Sequence, residues 1–340
     1  MNRRTFLFGL GGLAGCTGPR RPRLNVFNWS DYVAGDTISN FAREFGVDVR
    51  YRIYESNEEM LAKVQSGNSG WDVVFPSNYL LEPMRRAGLL AELRHQWLPL
   101  LGHLDAAFRS PPWDPDLRYA VPYMAGSSGI LFRKGVQPAP KRWADLWNPR
   151  LAGRVTMLDD PAEVLGAALL KLGYSLNSGD PGELAQAKRE AIAQKKLLRA
   201  YLNAEVRDQV VAGDVLAAQL WATTAAQAMH AAAGLGFVYP EEGFARYCDH
   251  AVILRESRRQ RLAHEFLNYL LRPRVAADIV IAAKTATVNQ DAWRLLPPAL
   301  RDDPALYPPP DVLARGQWFE PLAAPVQRLR DRIWTEIKAA

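Results

Sequence analysis

Leu158-Asp159-Asp160-Pro161-Ala162-Glu163-Val164 is a joint between two kinds of periodicity. Arg154 to Leu158 reads as a short strand, and the run that follows reads as a helix to about Leu172. Asp160 at the N-cap, Pro161 at the first helical position and Glu163 at N3 have the spacing of a capping box, in which side chains satisfy the orphan N–H groups of the first turn. The same spacing puts two carboxylates on one end and one face of the helix. Capping and ligand capture are both open for this pair.

The strand–loop–helix unit recurs on both sides of that joint. Leu24 to Asn28 is a strand, followed by a helix from Thr37 to Phe45 with Asp36 as cap and Gly46 as stop. Val47 to Ile53 alternates like a half-buried strand, and Ser56-Asn57-Glu58-Glu59 starts a second helix that Gly67 closes. Trp71 to Phe75 is a strand ended by Pro76, and Pro83 to Ala87 is read as a short helix. This alternation predicts an α/β fold with a mainly parallel sheet covered on both faces. Extended runs at Tyr119 to Tyr123 and Gly129 to Arg133 flank Ala125-Gly126-Ser127-Ser128, and the shift there reads as a crossing between two α/β domains. The second region continues with helices from Pro181 to about Leu198 and Thr223 to Ala233, and strands at Leu216 to Leu220 and Phe237 to Tyr239. A strand at Ala251 to Leu254 and helices at Gln260 to Leu271, Arg274 to Ala283 and Pro325 to Ala339 follow.

The 340 residues are enough for two domains. A hydrophobic share of 48% and a charged share of 23% are those of a globular chain. The +6 charge is dispersed and no nucleic-acid motif accompanies it, so no nucleic-acid partner is expected. Met1 to Cys16 reads as an export signal, with Arg3 and Arg4 before Phe6-Leu7 and an apolar run too short to span a bilayer. The paired arginines resemble a twin-arginine signal, and Leu13-Ala14-Gly15-Cys16 resembles a lipobox. Cys16 is therefore expected to carry a lipid anchor, with Gly18-Pro19-Arg20-Arg21-Pro22 as tether and Cys248 as a free thiol.

Enzyme signatures are mostly missing. There is no Gly-x-Gly-x-x-Gly, P-loop, His-Glu-x-x-His or Gly-x-Ser-x-Gly. Cys248-Asp249-His250 gathers metal-ligand types, but neighbours on a strand point to opposite faces and a metal needs three or four convergent donors. No cofactor, no metal and no catalysis are expected. What recurs is aromatic and acidic residues at strand ends: Trp29-Ser30-Asp31-Tyr32, Ser77-Asn78-Tyr79, Asp160 with Glu163, Trp221, and Tyr247-Cys248-Asp249 placed before a strand. Loops at the carboxyl ends of strands converge on the ligand crevice of open α/β sheets. Carboxylates beside aromatic faces suit an organic ammonium, which takes charge-assisted hydrogen bonds and cation–π contacts.

These segments resemble the spermidine/putrescine-binding proteins of polyamine ABC transporters, from about Leu24 to Ala340. "NWSDYV" at Asn28, "YESNEEMLAKV" at Tyr54, "FPSNYLLEPMRRAG" at Phe75, "WADLWNPRLAG" at Trp143, "DDPAEVLGAALLKLGYSLNS" at Asp159 and "FLNYLLRPRVAADI" at Phe266 carry the likeness. The resemblance implies a type II periplasmic-binding fold, two α/β lobes with a ligand cleft between them. It places lobe 1 at 24–124 plus 248–290 and lobe 2 at 125–247 plus 291–340. It further implies ligand roles for Trp29, Ser30, Asp31, Tyr32, Ser77, Tyr79, Asp160, Glu163, Trp221, Tyr247 and Asp249. Two departures bear on ligand choice: Thr285 stands near a family tyrosine and Phe319 near a family glutamine. The expected activity is capture of spermidine or putrescine outside the cytoplasm and delivery to an ABC permease, by a monomer anchored to the membrane surface. The alternatives are a binder of another organic cation or amino-acid-like solute, and a ligand-dependent sensor.

Overall fold

The computed structural model describes residues 21–340, so the expected signal and the Cys16 anchor lie outside the described residues. Strand β1 (Arg23–Trp29) runs parallel to β2 (Asp48–Tyr54) and β3 (Val73–Val74), with β1 between them. Helix α1 (Thr37–Phe45) ends where Gly46 takes φ 65°, and α2 (Asn57–Val64) is capped by Ser56, which accepts from the Glu59 N–H. Helix α3 (Asn78–Arg86) begins five residues before the expected Pro83 start. Pro83 is an interior residue there, withholding the N–H that would bond the Tyr79 carbonyl.

Strand β4 (Ala120–Arg133) is continuous through Ala125-Gly126-Ser127-Ser128, where a break between two strands was expected. Small Gly and Ser residues lack the β-branched signature of a strand, which hid its continuity. The second lobe follows: β5 (Val155–Met157), α4 (Pro161–Lys171), α5 (Pro181–Lys195), β6 (Leu198–Tyr201), α6 (Val206–Ala212), β7 (Ala217–Trp221), α7 (Ala222–Ala231) and β8 (Leu235–Val238). Strand β6 occupies the residues after α5, where the helix was expected to run on to Leu198. Strand β9 (Phe244–Ile253) takes in Tyr247, Cys248 and Asp249, which lie ahead of the strand expected at Ala251 to Leu254.

Strands β4 and β9 pair antiparallel from Ala120↔Val252 to Ser127↔Arg246. Beyond that pairing, β4 continues into the second lobe against β7 and β8. The strand order is β2-β1-β3-β9-β4-β7-β5-β6. The sheet is thus parallel in its outer parts (β1 with β2 and β3, β5 with β6 and β7) and antiparallel at the two long crossing strands, rather than mainly parallel. Helices α8 (Gln260–Leu270) and α9 (Pro273–Ala283), β10 (Ala286–Thr287), α10 (Gln290–Arg294) and β11 (Gly316–Trp318) complete the mixed sheet and its cover, before the final helix Ala324–Ala339.

The lobes have separate cores. Phe41, Phe75, Phe266 and Leu267 fill one face of the first sheet, and Phe27, Tyr54, Met60 and Trp71 the other. Val155, Leu165, Leu169, Leu184 and Ile337 fill the second lobe, with Val206, Val210 and Leu220 on its far face. The cleft between the lobes lies at the carboxyl ends of β1, β5 and β7, where the crevice of an α/β sheet is expected.

Candidate functional site

All eleven residues named from the sequence line one cleft, which encloses about 680 Å³ including its open mouth. Trp29, at the end of β1, is fixed by an N–H bond from its indole to the Phe75 carbonyl (2.8 Å) and by packing on Tyr54 (4.6 Å between ring centroids). Trp221, at the end of β7, faces it from the other lobe, 6.4 Å away and near perpendicular. The two rings form opposed aromatic walls.

Asp249 is buried in β9 and held at both oxygens: Ser77 Oγ donates to Oδ1 (2.6 Å) and Tyr32 OH to Oδ2 (2.8 Å). Asn57, at the start of α2, donates to Ser77 Oγ (3.0 Å) and to Tyr79 OH (2.8 Å), so one amide orients two cleft hydroxyls. Burial pushes Asp249 up to about 6, against the opposing pull of its Ser77 and Tyr32 bonds. Tyr247 lies two residues away on the same face of β9, by the strand's period of two, and Cys248 turns to the core. Gly126 opposes Tyr247 across the β4–β9 ladder. A β-carbon on Gly126 would stand 2.3 Å from Tyr247 Cζ, so the ring lies flat across the crossing strand only because position 126 has no side chain.

At the other wall, Asp160 Oδ1 accepts from the N–H groups of Ala162 (2.8 Å) and Glu163 (3.1 Å), which caps α4. Asp160 Oδ2 takes no hydrogen bond from the described residues. The expected capping box is only half built. Glu163 does not reach back to the N-cap; Gln219 of β7 donates to its carbonyl (3.0 Å) and lies 3.4 Å from Oε2. That contact draws the Glu163 side chain toward the sheet and the cleft. Both carboxyls are raised above their ordinary range by burial, and Glu163 further by the neighbouring Asp160 charge.

Asp31 is at the rim, with φ 52° and a side chain 62% exposed, facing Arg207 of α6 at 3.7 Å. Ser30 Oγ donates to Glu55 Oε2 (3.0 Å). Phe319 lines the cleft, its ring edge-on to Tyr79 at 5.5 Å, whereas Thr285 is buried behind the wall and accepts from Thr223 Oγ1 (3.0 Å). Glu55, Asn57, Thr223, Thr224 and Gln227 also line the cleft and were not anticipated. Asn57 and Glu55 belong to a segment that reads as ordinary helix-start chemistry, and Thr223, Thr224 and Gln227 to an Ala-rich helix with no motif of its own. Five lining residues carry carboxylates (Asp31, Glu55, Asp160, Glu163, Asp249), and none of the lining residues is Lys, Arg or His.

The profile of the bacterial extracellular solute-binding proteins matches residues 36–308. Spermidine/putrescine-binding periplasmic protein 1 of Haemophilus influenzae is 33% identical over 319 residues, covering 93% of this chain and 88% of that protein. The spermidine/putrescine-binding periplasmic protein of Escherichia coli is 31% identical, covering 93% and 91%. The crystal structure of the TpPotD lipoprotein of Treponema pallidum superposes with a TM-score of 0.81 at 29% identity, over 93% of this chain and 99% of that one. With its two lobes and the cleft between them, the chain belongs to the bacterial extracellular solute-binding protein family.

Proposed function

We propose that the protein captures a polyamine, spermidine or putrescine, between its lobes and delivers it to an ABC transporter. One observation carries the reading: a cleft lined by five carboxylates and no basic side chain, with Asp160, Glu163 and Asp249 buried in it. Removing three carboxylates from water is unfavourable unless cations pair with them. A polyamine supplies several ammonium groups on an apolar chain, and Trp29, Tyr79, Trp221 and Tyr247 offer ring faces for its methylenes. An amino-acid-like solute fits less well, because no lining side chain offers a positive charge to its carboxylate. In this reading Asp160, Glu163 and Asp249 neutralise amines, Ser30, Tyr32 and Ser77 set their orientation, and Asp31 acts from the rim. The names of the relatives support the polyamine class and the transport role.

The proposal extends to export, to acylation at Cys16, and to a monomer that captures its ligand without chemistry. For the lobes we adopt 24–124 plus 248–290 and 125–247 plus 291–340, with one amendment. Ala292 and Leu296 pack with Ala277 and Val280 of α9, so residues 291–296 go with lobe 1.

Thermal shift with putrescine, cadaverine, spermidine, spermine and a panel of amino acids tests the function. A ligand at 100 times its Kd stabilises the fold by about 2.7 kcal/mol. Polyamines should raise Tm and amino acids should not; no shift with any polyamine would refute the reading.

A further inference from the structure

Four arginines are among the residues that line one shallow groove at the pole of lobe 1 opposite the cleft. Arg21 and Arg23 lie at the start of β1, Arg43 in the last turn of α1 and Arg50 in the edge strand β2, and all four are exposed. Asp48 is the only acid lining the groove, which leaves four positive charges against one negative. Among the described residues none of the four arginines has a carboxylate partner: Arg43 donates to Asn40 Oδ1 (2.6 Å), and Arg50 lies over the Trp71 ring at 4.5 Å. The groove opens at the amino ends of the parallel strands β1 and β2, and Trp29 and Ser30 of the cleft follow the carboxyl end of β1. Seven residues of strand separate the two, about 23 Å at ~3.3 Å per residue.

We propose that this groove docks the protein on an anionic lipid surface. Exposed guanidinium groups without a carboxylate partner among the described residues, gathered around the amino end of one sheet, match the phosphodiester headgroups of such a surface. Its place in the chain favours the same partner. If Cys16 is acylated, as proposed above, only four residues lie between the anchor and Arg21, five chain steps that span at most about 18 Å. The chain therefore leaves the membrane beside the basic groove, which lies close enough to the headgroups to feel their charge. The cleft, at the far end of β1, then faces away from the membrane and stays open to solute. Screening over about 10 Å at 0.1 M salt makes the contact reversible, so the lobes can lift off to meet a permease.

The docking does not require the polyamine reading, and its test is independent of both ligand and anchor. The probe protein is the chain from residue 16 carrying Cys16→Ser, which has no acyl group and keeps every residue of both lobes. It should sediment with phosphatidylglycerol-containing vesicles and not with phosphatidylcholine vesicles, and rising salt should release it. Each of Arg21→Ser, Arg23→Ser and Arg43→Ser should lower partitioning about fivefold, the effect of one charge near an anionic surface. Unchanged Tm in these variants separates lost docking from lost folding; a variant with lowered Tm is replaced by the corresponding lysine, which should retain binding. Equal sedimentation with both vesicle types, or a triple variant that binds like the parent, would overturn the proposal. So would equally tight binding to duplex DNA, or displacement by glycerol phosphate at constant ionic strength, which would indicate a discrete phosphate pocket.

Discussion

Asp249 joins burial, hydrogen bonding and ligand charge in one side chain. Because burial holds it up to about 6, the empty folded protein binds more protons than the unfolded chain between roughly pH 4 and 6. Stability of the empty protein therefore falls as pH rises through that window, as far as this group contributes. Ligand affinity runs the other way: an ammonium pairs with the carboxylate, so affinity should increase as pH rises through about 6 and binding below that should release protons. Calorimetry in two buffers of different ionisation enthalpy reads the release directly; identical heats in both buffers near pH 6 would contradict it. Asp249→Asn should cost about 2–5 kcal/mol of polyamine binding, the range for truncating one side of a buried charge pair. An unchanged dissociation constant would remove Asp249 from the site. At this scale the sequence was informative, since residue types that suit an ammonium recur at strand ends and all eleven line the cleft. Asn57 and Gly126 were illegible for a physical reason. Their importance comes from what stands across from them, Ser77 and Tyr79 in one case and the Tyr247 ring in the other. Gly126→Ala should displace that ring and weaken binding while the circular-dichroism spectrum stays native.

Helix α4 separates two carboxylates that look equivalent in the sequence. Asp160 spends Oδ1 on two backbone N–H groups and Glu163 spends none of its carboxylate on the cap. Asp160→Ala should therefore lose both stability, about 0.5–2 kcal/mol for a lost N-cap, and affinity. Glu163→Gln should lose affinity with stability unchanged or raised, because it keeps the shape and replaces a carboxyl whose ionisation burial disfavours. Paired denaturant melts and titrations distinguish the two; equal stability losses would show Glu163 to be structural. The elements legible beforehand are those with a local signal. Gly46, the Ser56 cap and the Asp160-Pro161 start mark α1, α2 and α4 closely. The strands β4 and β9 were each read short, as was the start of α3. The continuity of β4 and β9 depends on their pairing with each other across more than a hundred residues, which outweighs a run of Gly and Ser, and α3 accommodates Pro83 in its interior.

For the whole molecule, the proposed capture between the lobes rests on a balance between open and closed lobes, which a ligand shifts only by contacts that differ between the two. Two contacts join the lobes at the cleft mouth. Asn203 accepts from the Asp159 N–H (3.0 Å) and donates to the Glu55 carbonyl of the other lobe (3.3 Å), so closure is tied to the segment that carries Asp160. Arg207 reaches Asp31 at 3.7 Å, but Asp31 is largely exposed, and such pairs contribute about 0.2–1 kcal/mol. Asn203 is buried, and a net hydrogen bond of about 0.5–1.5 kcal/mol is present only when the lobes meet. Asn203→Ala should therefore weaken polyamine binding by up to about tenfold although its side chain does not line the cleft. Arg207→Ala should do less, and its effect should vanish at high salt. Small-angle scattering provides the structural readout: the free Asn203→Ala protein should have a larger radius of gyration than the free parent, and the two should coincide once saturated with ligand. If affinity falls while the free proteins scatter identically, Asn203 acts by placing Asp160 rather than by clasping the lobes, and the closure argument fails.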